Sequence, residues 1–220
     1  MSIYLKKDIH PEPRYLIVRV FFMGIIVAPL AVAGQWLMSS LLSYVSPEFS
    51  LSNSPGFFIV AAFIEEYVKF LAVKYAVLNN PNFDEPVDAM VYMIIAALGF
   101  AAIENILVLF QSFEHGVTAT IQIWVLRFFG ATLLHALSSA IVGYFLAMSW
   151  FYSHHSKKLV IIGLAIATLF HATFNIIILT SGDNPYSMAY MLCLLLSMAG
   201  LISVLFARVK KRLSTPTFSQ

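Results

Sequence analysis

Three charged residues stand together inside a long apolar run. Glu65, Glu66 and Lys69 lie within the stretch from Phe57 to Leu78, which is dominated by apolar side chains. On insertion scales, each charge costs about 2.5–3.5 kcal/mol at the centre of a membrane-spanning helix. If this run crosses a bilayer, its charges must face a protein interior or a water-filled cavity. We expect them to form part of a functional site there. A structural ion pair between two helices is the alternative.

Composition places the whole chain in a membrane. Of its 220 residues, 60% are hydrophobic and 11% are charged, and the mean hydropathy is +0.84, whereas a soluble domain has about 25% charged residues. The net charge of +2 is too small to indicate a nucleic-acid partner. The single cysteine, Cys193, cannot form an intrachain disulfide, and we expect an inert thiol in the packed interior.

Six apolar runs are long enough to cross a bilayer: 17–42, 55–78, 87–110, 122–151, 159–180 and 186–207. The sequence predicts an all-α, polytopic membrane protein of about six transmembrane helices, with a buried polar site between four of them. The predicted organisation is a cytoplasmic tail (1–16), a six-span domain (17–207, with a protease-like core over about 57–180) and a basic tail (208–220). Ala31-Val32-Ala33 is typical of a signal-peptidase site, but the apolar run continues past it and predicts an uncleaved span.

Basic residues are concentrated on one predicted side. The N-terminal tail, the loop with Lys157 and Lys158, and the cluster at 208–212 are basic, whereas the loops at 43–54, 112–120 and 181–185 contain no lysine or arginine. By the positive-inside rule both termini are cytoplasmic. We expect an integral protein of a bacterial or archaeal inner membrane, with the lipid bilayer as its surroundings.

Ionisable side chains on four predicted spans fall at similar depths. Glu65, Glu104, His135 and His171 all lie in the outer halves of their spans, counted from the outer ends at about 1.5 Å per helical residue. A single site that is formed by all four helices explains these similar depths better than chance does. Asn175 lies four residues after His171 and therefore shares its face.

The spacing of the charges predicts different roles for the two glutamates. Lys69 is three residues from Glu66 and four from Glu65, so it can reach either carboxylate. The glutamates themselves point about 100° apart. We expect one carboxylate to pair with Lys69 and the other to act as a general base for water. The histidines would orient that water or stabilise an oxyanion, to which Asn175 would donate.

Zinc is the alternative to a metal-free site. His135, His171, Glu104 and Glu65 carry nitrogen and oxygen atoms of the kind that zinc accepts as ligands. The His-Glu-x-x-His pattern of many zinc proteases is missing from the sequence. We therefore expect no cofactor.

The order of these motifs resembles the PrsW family of membrane proteases, within the wider group of CAAX prenyl endopeptidases and bacteriocin-processing enzymes. The matching motifs are Glu65-Glu66-x-x-Lys69, Phe100-x-x-x-Glu104-Asn105, His135-Ala136-Leu137 and His171-x-x-x-Asn175, and the segment Asp84-Glu85-Pro86-Val87-Asp88 is also similar. The resemblance covers residues 57–180. No single motif is specific, but the four in this order, each on its own apolar run, are.

The resemblance implies an all-helical intramembrane protease of glutamic type, with Glu65 as the base for water and Glu66 as the partner of Lys69. Related enzymes carry histidine where this chain has Glu104, which leaves the role of Glu104 open. Some family members cut membrane-anchored anti-sigma factors from the outer side, so the resemblance implies a membrane-anchored protein or peptide substrate. The predicted catalytic residues are Glu65, Glu66, Glu104, His135, His171 and Asn175, and the predicted supporting residues are Lys69, Asn105 and Arg127.

Two other functions fit the same residues. A proton- or ion-coupled transporter also uses buried glutamate, histidine and lysine, but residues 17–110 and 122–207 show none of the repetition typical of transporters. A binding protein or chaperone with an inactive site is the third reading. The sequence makes no prediction about the oligomeric state.

Overall fold

A computed structural model describes residues 12–45, 54–181 and 186–213. These residues form helices joined by short turns, and no strand occurs among them, which confirms the all-α prediction. The helices are α1 (Arg14–Val45), α2 (Pro55–Ala76), α3 (Pro86–Ser112), α4 (Val117–Leu126), α5 (Thr132–Phe151), α6 (Ser156–Ser181) and α7 (Ser187–Leu213). Short 3₁₀ turns cover Phe113–His115 and Ser153–His155, and a π-helical turn, Arg127–Ala131, joins α4 to α5.

Within these ranges, five helical segments are long and apolar enough to cross a membrane: 14–41, 86–112, 120–151, 153–180 and 187–212. Helix α2, with 22 residues, is also long enough, but its cluster of charges lowers its apolar character. It packs between α1 and α6, and we treat it as the sixth span.

Local signals in the sequence explain where α2 and α3 begin. The Ser54 hydroxyl caps α2 by accepting a hydrogen bond from the backbone N–H of Phe57 at 3.3 Å. Helix α3 opens with a capping box, in which the Asp88 carboxylate accepts from the backbone N–H of Glu85 at 2.8 Å. Pro86 occupies the first turn, where its missing N–H costs nothing. Helix α3 therefore begins one residue before the predicted span 87–110.

Helices α3 and α5 form the centre of the bundle. Helix α3 packs against α1 and α5, and α5 also packs against α6 and α7. A Cβ atom added to Gly24 would overlap the carbonyl oxygen of Ala96, and one added to Gly99 would overlap that of Phe21. Helices α1 and α3 therefore cross with their backbones in contact, which is a common way for membrane helices to pack.

The predicted burial of Cys193 is wrong, because its side chain is exposed on α7. This helix packs through Leu195, Met198 and Ile202, which the helical period places on the opposite face. Helix α7 also continues through the basic cluster at 208–212, so these residues extend the last helix. Residues 1–11 and 214–220 of the predicted tails, and residues 46–53 and 182–185 of the predicted outer loops, lie outside the described residues.

Candidate active site

The structure brings together the ionisable side chains that the sequence places on four different spans. Helix α2 contributes Glu65, Glu66 and Lys69, and the other three helices contribute Glu104 (α3), His135 (α5) and His171 (α6). The two imidazole rings are nearly perpendicular, at 89°, with centroids 4.8 Å apart. The site lies where the inner faces of these four helices meet.

Glu66 is a carboxylate with no exposed surface and with both oxygens occupied. Its Oε1 accepts hydrogen bonds from Lys69 Nζ at 2.8 Å and from Ser138 Oγ at 2.9 Å. The same oxygen lies 2.9 Å from Nδ1 of His171, while Oε2 accepts from Ser139 Oγ at 2.7 Å. With its lone pairs used in this way, Glu66 holds neighbouring side chains in place.

Lys69 is buried as completely as Glu66, and its contact with His135 determines which ring nitrogen of His135 carries the hydrogen. Its ammonium lies 2.7 Å from Nδ1 of His135 and 4.5 Å from the centroid of the Phe100 ring. Because an ammonium group can only donate, Nδ1 of His135 accepts and Nε2 carries the ring hydrogen. That Nε2 lies 2.6 Å from Oε2 of Glu104.

Glu104 connects the buried cluster to its more exposed edge. Its Oε1 accepts a hydrogen bond from Nη2 of Arg127 at 2.8 Å, and Nε of Arg127 donates to Oδ1 of Asn105 at 3.1 Å. Asn105 in turn donates to Oγ1 of Thr132 at 2.9 Å. The side chains of Arg127 and Glu104 are 24% and 28% exposed, against 2% for His135. Asn105 and Arg127 therefore lie beside Glu104, at the rim of the site.

Glu65 has one oxygen with a hydrogen-bond donor and one without. Its Oε1 accepts from Nε2 of Gln35 at 2.9 Å. Its Oε2 is buried and has no hydrogen-bond partner among the described residues. This atom lies 3.5 Å from Nε2 of His171, and 3.9 Å from both Nδ1 of His135 and Nζ of Lys69. Because a buried acceptor without a donor is costly, Oε2 of Glu65 is the candidate contact for a water molecule or a metal ion.

The donor set also fits a divalent metal ion. Glu65, His135 and His171 each carry one possible ligand atom, and these atoms lie within 4.8 Å of one another, as in three-ligand catalytic zinc sites. His135 could bind a metal only after its Nδ1 releases the Lys69 ammonium, which lies 2.7 Å away. The contact of Nδ1 of His171 with Glu66 leaves Nε2 for a metal, an arrangement common among metal-binding histidines. The Lys69 ammonium, 3.9 Å from Oε2 of Glu65, opposes a second cation at the same place.

Three side chains that donate hydrogen bonds to Glu65 or Glu66 were missed by the sequence interpretation: Gln35, Ser138 and Ser139. The two serines follow His135 by three and four residues, so the helical period could have placed them on its face. Gln35 was detectable as a polar amide within an apolar run.

The predicted oxyanion donor, Asn175, is not part of this network. It lies one helical turn beyond His171 and is partly buried. No hydrogen bond of its side chain occurs within the described part of the chain.

Comparison with known proteins confirms the family that the sequence resembles. The family described as PrsW family intramembrane metalloprotease matches residues 12–201. The chain is 31% identical to Protease PrsW of Oceanobacillus iheyensis over 176 residues, which cover 80% of this chain and 75% of that protein. It is 28% identical to Protease PrsW of Bacillus subtilis over 189 residues, which cover 84% and 79%. No solved structure matches the chain. The chain therefore belongs to the PrsW family and is a membrane-embedded protease.

Proposed function

We propose that this protein is an endopeptidase that hydrolyses a peptide bond of a membrane-anchored protein with a water molecule activated by Glu65. The observation that carries the proposal is the buried Oε2 of Glu65, which has no donor among the described residues and faces Nε2 of His171 at 3.5 Å. A water molecule here would meet both an acceptor for its proton and a ring nitrogen. Membership of a protease family supports hydrolysis, and no observation favours the transporter alternative.

In the proposed reaction, Glu65 takes a proton from the water, and the water oxygen forms a bond to the carbonyl carbon of the substrate. We propose that the amide of Asn175 donates to the charge that develops on the carbonyl oxygen, because it lies one turn from His171 and its side chain makes no hydrogen bond within the described residues that would compete. The C–N bond then breaks, and the proton passes from Glu65 to the leaving nitrogen. Glu66 and Lys69 keep the two imidazole rings in place throughout, since each contacts an Nδ1 atom.

Glu65, His135 and His171 are also the residues that would hold zinc, with Glu104 beside them. A bound zinc ion would supply Lewis-acid polarisation of the substrate carbonyl and of water. We propose the glutamic type because the Lys69 ammonium lies 2.7 Å from Nδ1 of His135 and occupies the lone pair that a metal would need there.

The rim of the site supports an approach of the substrate beside Arg127 and Glu104, the more exposed members of the cluster. With both termini in the cytoplasm, this rim lies in the outer half of the bilayer. The proposed substrate is a single-span membrane protein of the anti-sigma-factor type. Its helix must unwind locally before cleavage, because a helical peptide bond is shielded by its own hydrogen bonds.

Cleavage by purified protein in liposomes tests the proposal, with candidate single-span proteins as substrates. We expect the wild type to cleave and Glu65→Gln to lose activity by about 10²–10⁴-fold while unfolding at the same temperature. The amide keeps the shape of the side chain and removes the base. Wild-type cleavage by Glu65→Gln, together with a folded but inactive Glu66→Gln, would show that the base is the other glutamate. Proton-driven uptake without cleavage would favour a transporter.

A further inference from the structure

We infer that Gln35 is a positioning residue for Glu65, holding one carboxylate oxygen so that the other faces the two histidines. The inference rests on the proposed role of Glu65 as the general base. It concerns a helix, α1, that contributes no other side chain to the cluster described above.

The sequence around Gln35 shows that its amide needs a partner. Between Val20 and Met38 of α1, only Gln35 and Trp36 have side chains with N–H groups, and all the other residues are apolar. An amide in the hydrocarbon region is costly unless it is hydrogen-bonded. Its partner is Oε1 of Glu65, at 2.9 Å and 30 positions away in the chain.

The residues that precede Gln35 and Glu65 bring the two helices close enough for this hydrogen bond. Gly34 lies against Ile64, and a Cβ atom added to Gly34 would be 3.3 Å from Cγ2 of Ile64. Helices α1 and α2 are therefore close immediately before the two residues that form the hydrogen bond. A larger side chain at position 34 would separate the helices and lengthen the contact.

The hydrogen bond prevents a competing arrangement of the base. Oε2 of Glu65 forms an ion pair with the Lys69 ammonium at 3.9 Å, which is too long for a direct hydrogen bond. A glutamate side chain without an anchor could rotate into hydrogen-bond contact with that ammonium and would then lose its approach to His171. The donor on Oε1 keeps Oε2 at 3.5 Å from Nε2 of His171.

Steady-state kinetics of Gln35→Leu in the liposome assay test the inference, with rates expressed per folded molecule. We expect kcat to fall about 10–100-fold, as for other residues that orient an active-site group, with KM unchanged because Gln35 does not contact substrate. Leu37→Ala is the matched control, since Leu37 lies on the exposed face of the same helix, and it should leave both constants unchanged.

A swapped pair, Gln35→Glu with Glu65→Gln, separates positioning from stability. It keeps an amide facing a carboxylate, but it moves the carboxylate from α2 to α1. We expect it to unfold at the wild-type temperature and to be inactive.

The outcomes distinguish this inference from the proposed function. Wild-type protein that cleaves, beside Gln35→Leu with an unchanged kcat, overturns the role of Gln35 and leaves the proposed function standing. A rise in KM at constant kcat also overturns it. Wild-type protein that cleaves none of the substrates counts against the proposed function itself. If Gln35→Leu does not fold, Gln35→Met replaces it under the same criteria.

Discussion

Nδ1 of His171 lies 2.9 Å from Oε1 of Glu66, and the ring therefore presents its other nitrogen to Glu65, at 3.5 Å. Two consecutive glutamates, about 100° apart around their helix, thus contact the two nitrogens of a single imidazole ring. One carboxylate fixes the ring, and the other faces the position where we propose that water binds.

Glu66→Gln should destabilise the fold, because it removes the carboxylate that pairs with the fully buried Lys69 at 2.8 Å and leaves this ammonium with Glu65 at 3.9 Å. Breaking a buried ion pair costs about 3–5 kcal/mol, and we expect a matching loss in unfolding experiments in detergent. Glu66→Gln combined with Lys69→Met removes both charges and should recover part of that stability. A Glu66→Gln variant as stable as the wild type would contradict this role.

Proteolytic activity should survive removal of metal ions. The Lys69 ammonium near Oε2 of Glu65 opposes a divalent cation, and we expect no stoichiometric zinc in elemental analysis of active protein. Cleavage should continue after treatment with a chelator. Zinc at one equivalent, whose removal abolishes cleavage and whose return restores it, would identify Glu65, His135 and His171 as ligands instead.

Alanine at Gly24 or Gly99 should destabilise the bundle, because the added Cβ would overlap a carbonyl oxygen of the facing helix. Overpacking of this kind costs about 1–3 kcal/mol. Gly200→Ala is the matched control, since no atom lies within 4 Å of a Cβ there, and alanine is the better helix former. Thermal unfolding of the three variants measures the difference. Equal stability of Gly24→Ala and Gly200→Ala would show that α1 and α3 do not cross this closely.

Both termini should be inaccessible from outside the cell. In a Cys193→Ser background, Thr215→Cys should react with a membrane-impermeant maleimide only after the membrane is opened. Glu114→Cys, in the loop that we expect outside, should react in intact cells. Labelling of position 215 from outside would reverse the topology and would place the rim of the site in the inner half of the bilayer.

The helices were predictable because each must be apolar over the thickness of a bilayer. Residues 159–180 were predicted as a span, and α6 covers Ser156–Ser181. The π-helical turn at Arg127–Ala131 was not predictable, since it changes the hydrogen-bond register without changing the apolar character of the segment.

Only some residues of the site carry a signal in the sequence. Charges such as Glu65 and His171 are conspicuous in apolar runs because burying them is expensive. The hydroxyl of Ser139 is not conspicuous in this way, because a serine in an apolar helix can hydrogen-bond to a backbone carbonyl of that helix. The exposure of Cys193 depends on which face of α7 meets α5, and no charged residue before position 208 marks that face.

The π-helical turn sets the rotational phase between α4 and α5. Such a turn holds one residue more than an α-helical turn of the same span, and one residue corresponds to about 100° of rotation. Deleting one residue from Arg127–Ala131 would rotate Arg127 away from Glu104 without altering any residue of the buried cluster. Phe128 and Phe129 are 50% and 69% exposed within a membrane span, so apolar substitutions there should be tolerated. In the turn Arg127–Ala131, the number of residues should therefore be more strictly constrained than the side chains at positions 128 and 129.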